Sequence, residues 1–155
     1  WWQASAATTL AARITLTPAQ HWSSRNLIVK NTTLWGGFWI ENDRRRIYFA
    51  GDTGRGRDFT LIRERLGVPD LALLPIGAYE PRWFMSGSHL APDDAILARR
   101  DLGEPRCLGM HFDTFQLADE AHGAAERELF AAREAAQVTP AQFHAPTAGE
   151  TTLVA

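Results

Sequence analysis

A single cysteine, Cys107, is all the thiol chemistry in the 155 residues. One thiol excludes an internal disulfide and any cysteine-rich zinc module. Set mid-strand among apolar neighbours, it reads as an inert core residue. An excess of charge of one sign is lacking too: 16 Lys+Arg against 18 Asp+Glu leave a net of -2. That balance argues against a nucleic-acid binder held by phosphate neutralisation, though a local patch for a small anion stays open. No apolar run approaches the roughly 20 residues that span a bilayer. The opening WWQASAATTLAARITL has no initiator Met and no basic segment ahead of an apolar one, so no signal peptide is expected. It reads as a chain entered partway through, with the cytoplasm as default compartment and membrane association as the alternative.

Several chemical motifs are missing as well. GDTGRG lacks the Gly-x-x-x-x-Gly-Lys of a phosphate loop, Ser23 and Ser24 lack a nucleophile elbow, and no His-x-x-x-His spacing links any pair of histidines. No internal repeat, low-complexity tract or linker divides the chain. What remains is a 45% hydrophobic composition, enough to bury one core of ordinary size.

Hydrophobic periodicity predicts strands over residues 13–17, 34–41 and 45–50, the last two joined by the polar link NDRR as a hairpin. The basic triplet 44–46 is expected to be a solvated turn rather than an anion patch. After GDTG the period becomes helical: Phe59, Ile62 and Leu66 share a face, with Asp58 as the expected N-cap and Gly67 as the stop. Residues 71–76 form a continuous apolar strand of the doubly buried kind. APDDAILARRDLG predicts a helix with Pro92 in its first turn and Gly103 past its end. RCLGMH predicts another buried strand, residues 118–137 a long Ala-rich helix, and residues 150–154 a short final strand. A hairpin followed by β–α alternation predicts an α/β layered domain.

The chemistry-bearing residues cluster where strands are expected to end. Asp52 sits in FAGDTG, where a β-type run meets a Gly-flanked turn. It reads either as an ordinary turn residue or as a site acid delivered to a loop. His21 follows the strand that Pro18 ends, His111 closes the apolar strand of RCLGMH, and His89 lies just before a helix. Strand C-termini in layered α/β folds share one rim, so His21, Asp52 and His111 can converge there. Two imidazoles and a carboxylate suit a divalent ion that takes N and O ligands, and a carboxylate can bridge two ions. Each of these histidines taken alone reads first as a hydrogen-bonded, half-buried residue. His122 and His144 are left to that reading. Trp22, Trp35, Trp39 and Trp83 read as core or as walls of a groove suited to a lipid-like ligand.

The segments PAQHWSSR, LWGGF, FAGDTG, LLPIGAYEPRWFM, SHLAPDDA and HFDTFQLADE, in this order, resemble the metallo-β-lactamase-fold hydrolases. The subgroup is that of N-acyl-phosphatidylethanolamine-hydrolysing phospholipase D, and the likeness runs from about residue 14 to residue 120. The resemblance implies the C-terminal half of an αββα sandwich, a mixed β-sheet with helices on one face. It implies two Zn²⁺ ions in the complete enzyme, with His21 on one, His111 on the other and Asp52 bridging both. It gives His89 and Asp52 catalytic parts, His89 hydrogen-bonding an oxyanion or protonating a leaving oxygen. Tyr79, Glu80, Arg82 and Trp83 become expected substrate-groove residues.

The expected activity is hydrolysis of a phosphodiester, a phospholipid above all, with a peripheral membrane contact and no nucleic-acid partner. A lactonase or other ester hydrolase, and an inactive half-domain, are the alternatives. The family's His-x-His-x-Asp-His string is absent from these residues, so the missing N-terminal half of the same domain is an expected partner, and the metal site of this chain alone is expected to be incomplete. Its absence also predicts an uncovered apolar sheet face. Asp113 stands where the family pattern has Gly. A carboxylate there, two residues from His111, would either crowd a metal or require a backbone shape that Asp disfavours.

Overall fold

The structure, a computed structural model, describes residues 1–7, 11–24 and 29–153. Among the described residues, seven strands form one mixed sheet in chain order: β1 (Ala4–Ala7), β2 (Ala12–Thr17), β3 (Gly37–Glu41), β4 (Arg46–Phe49), β5 (Leu71–Pro75), β6 (Arg106–Met110) and β7 (Phe143–His144). The first four pair antiparallel and the last four parallel. Four helices fill the crossovers: α1 (Asp58–Leu66), α2 (Arg82–Met85), α3 (Pro92–Asp101) and α4 (Ala124–Ala136). Each parallel step moves one strand further in the same direction. Crossovers of one hand therefore carry α1, α3 and α4 to the same face, where α3 packs against both α1 and α4.

That face is the core. Alternation along the strands sends Trp39, Tyr48, Ala72, Leu74, Cys107 and Phe143 into it, against Phe59 and Ile62 of α1, Ala95 and Ile96 of α3, and Leu129 of α4. The opposite face is apolar as well. Register pairs Leu16 with Phe38, Phe38 with Phe49, Phe49 with Leu73, and Leu73 with Leu108, a continuous row across five strands. Phe38 is 43% exposed and Phe49 36%, while Leu16, Leu73 and Leu108 are half-buried. A sheet that is apolar on both faces needs cover on both, and the described residues cover one.

The hairpin, the helix at Asp58, both apolar strands and the Pro92 helix lie where periodicity places them. Asn42 shapes the hairpin turn by accepting from the N–H groups of Arg44 and Arg45 at 2.9 and 2.8 Å. Other boundaries differ. β3 begins at Gly37 rather than residue 34, because Gly36 and Gly37 are used for close backbone approach. A Cβ on Gly37 would lie 2.5 Å from the Phe49 carbonyl oxygen. Asp58 is the first helical residue rather than the N-cap, which is Arg57. The Ala-rich helix starts at Ala124, after Gly123 at φ 74, so His122 precedes it. No strand forms over 150–153, and residue 154 lies outside the described residues; the last strand is the two-residue β7. The edge strand β1 and the short helix α2 have no periodic signal long enough to read.

Candidate metal centre and groove

Because β2 and β4 are both antiparallel to β3, and β4 to β6 run parallel, the C-terminal ends of β2, β4, β5 and β6 share one edge of the sheet. The loops leaving them carry the candidate residues, and the loops are tied together. Gln20 donates its N–H to Thr53 Oγ1 at 2.9 Å, accepts from Gly54 N at 2.8 Å, and donates its side-chain amide to the Gly87 carbonyl at 3.1 Å. Gly51, in the left-handed region at φ 66, turns the chain after β4 so that Asp52 follows at the rim. His111 is itself left-handed at φ 59, a conformation few non-glycine residues adopt, histidine among the more tolerant.

These loops gather the four residues singled out from sequence. The ring centroids of His21 and His89 lie 5.2 Å apart, and those of His89 and His111 5.9 Å. His111 Nε2 lies 3.4 Å from Asp52 Oδ1. The polar atoms left over are informative. His21 Nδ1 hydrogen-bonds the Trp22 carbonyl oxygen at 2.8 Å, which makes Nδ1 the protonated nitrogen and leaves a lone pair on Nε2. That Nε2 is buried with no hydrogen-bond partner among the described residues, as are Nδ1 of His89 and Nδ1 of His111. A ligating histidine held through its other nitrogen by a backbone carbonyl is the arrangement metals favour. Burial, and then the neighbouring His21, push the His89 imidazole below its ordinary value.

The donors fit a divalent ion in kind, being imidazole nitrogens and a carboxylate. They fall short in number: among the described residues, no three His, Cys, Asp or Glu side chains are placed to hold one ion.

The expected groove residues separate. Tyr79 is fully buried in the core rather than in a groove wall; burial, and then Glu128, raise its phenol well above the ordinary range. Arg82 forks onto α3, donating to Asp93 at 2.8 Å and Asp94 at 3.0 Å, so its guanidinium is engaged within the fold. Glu80 accepts from the Arg82 N–H at 3.1 Å. Trp83 is 84% exposed, and it stands beside Phe84 with ring centroids 5.7 Å apart. Next to them runs a cavity of about 610 Å³ lined by Trp22, Phe84, Met85, Leu117, Lys30 and His89.

Asp113 adopts φ 56, and its Oδ1 accepts from the Gly123 N–H at 2.9 Å, at the start of α4. That bond compensates the disfavoured backbone. Sequence reasoning passed over Glu120, whose two carboxylate oxygens accept from Ala78 N at 2.5 Å and Glu80 N at 3.1 Å. No local pattern marks it, because its partners lie some forty residues upstream.

A mixed sheet with helices on one face and histidines at its rim is the frame of a hydrolase fold of the metallo-β-lactamase kind. Residues 1–112 match the family described as the beta-lactamase superfamily domain, and the chain belongs to that family. It is 41% identical over 122 residues to "N-acyl-phosphatidylethanolamine-hydrolyzing phospholipase D 1" of Caenorhabditis elegans, covering 76% of this chain and 34% of that protein. It is 42% identical over 110 residues to the mitochondrial protein of the corresponding name in Saccharomyces cerevisiae, covering 69% and 24%. Among solved structures, Igni18, a metallo hydrolase from Ignicoccus hospitalis, superposes with a TM-score of 0.65 at 27% identity, covering 97% of this chain and 57% of that one. The chain thus spans about a third or less of the length of these two curated relatives.

Proposed function

We propose that the protein to which this chain belongs is a zinc-dependent phosphodiester hydrolase acting on a phospholipid-type substrate. The observation that carries the reading is the convergence of His21, His89, His111 and Asp52, with three buried imidazole nitrogens unpartnered. The relatives named for N-acyl-phosphatidylethanolamine hydrolysis support the substrate class. So does the groove beside His89, whose Trp22, Phe84, Met85 and Leu117 suit an acyl chain.

In this reading His21, Asp52 and His111 would hold the zinc ions, with the remaining ligands coming from the rest of the same domain. The ions would supply Lewis-acid stabilisation of charge on the phosphoryl oxygens. His21 is oriented for its part by the Trp22 carbonyl, and His111 by its left-handed turn. His89 donates an N–H to a phosphoryl oxygen, a donor fixed before the reaction begins. Water attacks phosphorus, the bond to the leaving oxygen breaks, and the proton that the attacking water sheds balances the one the leaving oxygen takes up. Phe84 lines the groove, and the exposed Trp83 beside it meets the membrane from which the lipid comes. The open apolar face, from Leu16 through Phe38 and Phe49 to Leu108, packs against the missing half of the domain. Among the described residues the donors fall short of a complete site, which favours a non-catalytic piece when this chain stands alone.

The test is hydrolysis by the full-length protein of a phosphodiester lipid and of a lactone, with and without chelator. Loss of phosphodiesterase activity on chelation, restored by zinc, is expected. His21→Ala, Asp52→Asn and His111→Ala each lower it at least about 100-fold. Turnover of the lactone alone points to an ester hydrolase instead. Activity that persists after chelation and in zinc-free protein removes the proposal.

A further inference from the structure

His111 keeps its left-handed backbone at the start of a loop, 111–123, that has little regular structure of its own. Such a conformation persists only where the surroundings over-determine it. Two contacts with the loop after β5 do so. At the near end, Gly77 lies so close under His111 that a Cβ there would run into the His111 carbonyl oxygen, and Ile76 N donates to the Met110 carbonyl at 3.0 Å. At the far end stands Glu120. Its Oε1 accepts from Ala78 N at 2.5 Å and its Oε2 from Glu80 N at 3.1 Å, while Asp119 N donates to the Glu80 carbonyl at 3.2 Å. Ala78 is also left-handed, at φ 59, so its N–H is aimed by a second strained residue.

We propose that Glu120 is a positioning residue, a carboxylate clamp whose two oxygens lock the loop after β5 to the loop after β6 and so hold His111 in its place at the rim. Both oxygens are occupied by backbone N–H groups, so Glu120 acts through the loops rather than on a substrate. A carboxylate is suited to this task because it accepts with both oxygens and has no donor to set against the two N–H groups. Hydrogen bonds to a charged acceptor are also stronger than neutral ones.

The experiment compares Glu120→Ala and Glu120→Gln with the parent in the full-length protein. It reads amide exchange at Ala78 and Glu80, the imidazole NMR signal of His111, and zinc affinity by calorimetry. Glu120→Ala is expected to speed exchange of both amides by roughly 10- to 100-fold, to shift the His111 signal, and to weaken zinc binding by about 10- to 100-fold. Glu120→Gln keeps one acceptor but turns an NH₂ group toward the second N–H. It should therefore protect Ala78, lose Glu80, and recover most of the zinc affinity. If Glu120→Ala does not fold, this split in the Gln variant is the deciding result. Unchanged His111 signals, or equal acceleration at core amides such as Leu74 and Cys107, overturn the clamp, the latter by showing a global role. The zinc arm rests on the metal reading above. Should the parent bind no zinc, that reading fails, while amide exchange and the His111 signal still judge the clamp.

Discussion

Gly77→Ala tests the close approach that seats His111. A Cβ at residue 77 would meet three atoms of one neighbouring segment: the His111 carbonyl oxygen, Phe112 Cα at 2.9 Å and Phe112 Cβ at 3.0 Å. Two of the three are backbone, so no flexible side chain can swing aside. Either the loop after β5 or the loop after β6 must shift, and the first is pinned by Glu120 while the second begins at β6. Overpacking of this kind costs about 1–3 kcal/mol, read as a lower denaturant midpoint at unchanged slope. The same shift moves His111 off its position, so zinc affinity should fall with stability. Gly87→Ala is the control. Nothing lies within 4 Å of its added Cβ, and its effect should stay within about 0.5 kcal/mol. Denaturant unfolding and zinc calorimetry of both variants in the full-length protein make the comparison. A Gly77→Ala variant as stable and as tightly zinc-binding as the Gly87→Ala control refutes the packing argument.

Two other expectations follow from different parts of the molecule. The paired Phe38 and Phe49 on the open sheet face each contribute about 1.5–3 kcal/mol if that face is covered. Phe38→Glu with Phe49→Glu should therefore destabilise the full-length protein by several kcal/mol, yet reduce self-association of the 155 residues measured by light scattering; full-length stability that does not change means the face is left bare. Asp93 is pushed up by burial, but the hydrogen bond and charge of Arg82 outweigh this and hold its carboxyl below the ordinary 3.8. A lowered folded value means stability that is present above pH 3.8 and is lost as pH falls through the lower folded value. Asp93→Asn should accordingly reduce the melting midpoint slightly at neutral pH, with the difference from the parent closing in acid. A gap that widens below pH 4 contradicts the pairing.

Much of the sheet was legible because its signals are local. Alternation in the hairpin, the apolar run at 71–75 and the Pro92 and Gly103 punctuation of α3 each lie within a window that one element occupies. The Ala-rich segment misled because composition alone cannot tell that Gly123, in a left-handed conformation, starts the helix and that Glu120 is needed elsewhere. Residue types and strand-end positions marked His21, His89, His111 and Asp52 as candidates. They could not show which groove residues face outward. Tyr79, Arg82 and Trp83 sit within five positions of one another, yet one is buried, one is paired with α3 and one is exposed.

By itself the amino-acid order determined the elements, their alternation and the kinds of atom available to a metal, since these depend on neighbours a few residues apart. Only the tertiary structure decided that four loops close on a common point, that the Glu120 carboxylate spans two of them, and that one apolar face has no cover among the described residues. Those outcomes depend on strand order and on contacts between residues about 40 to 70 positions apart, and a short stretch of sequence holds no record of which distant partner will arrive.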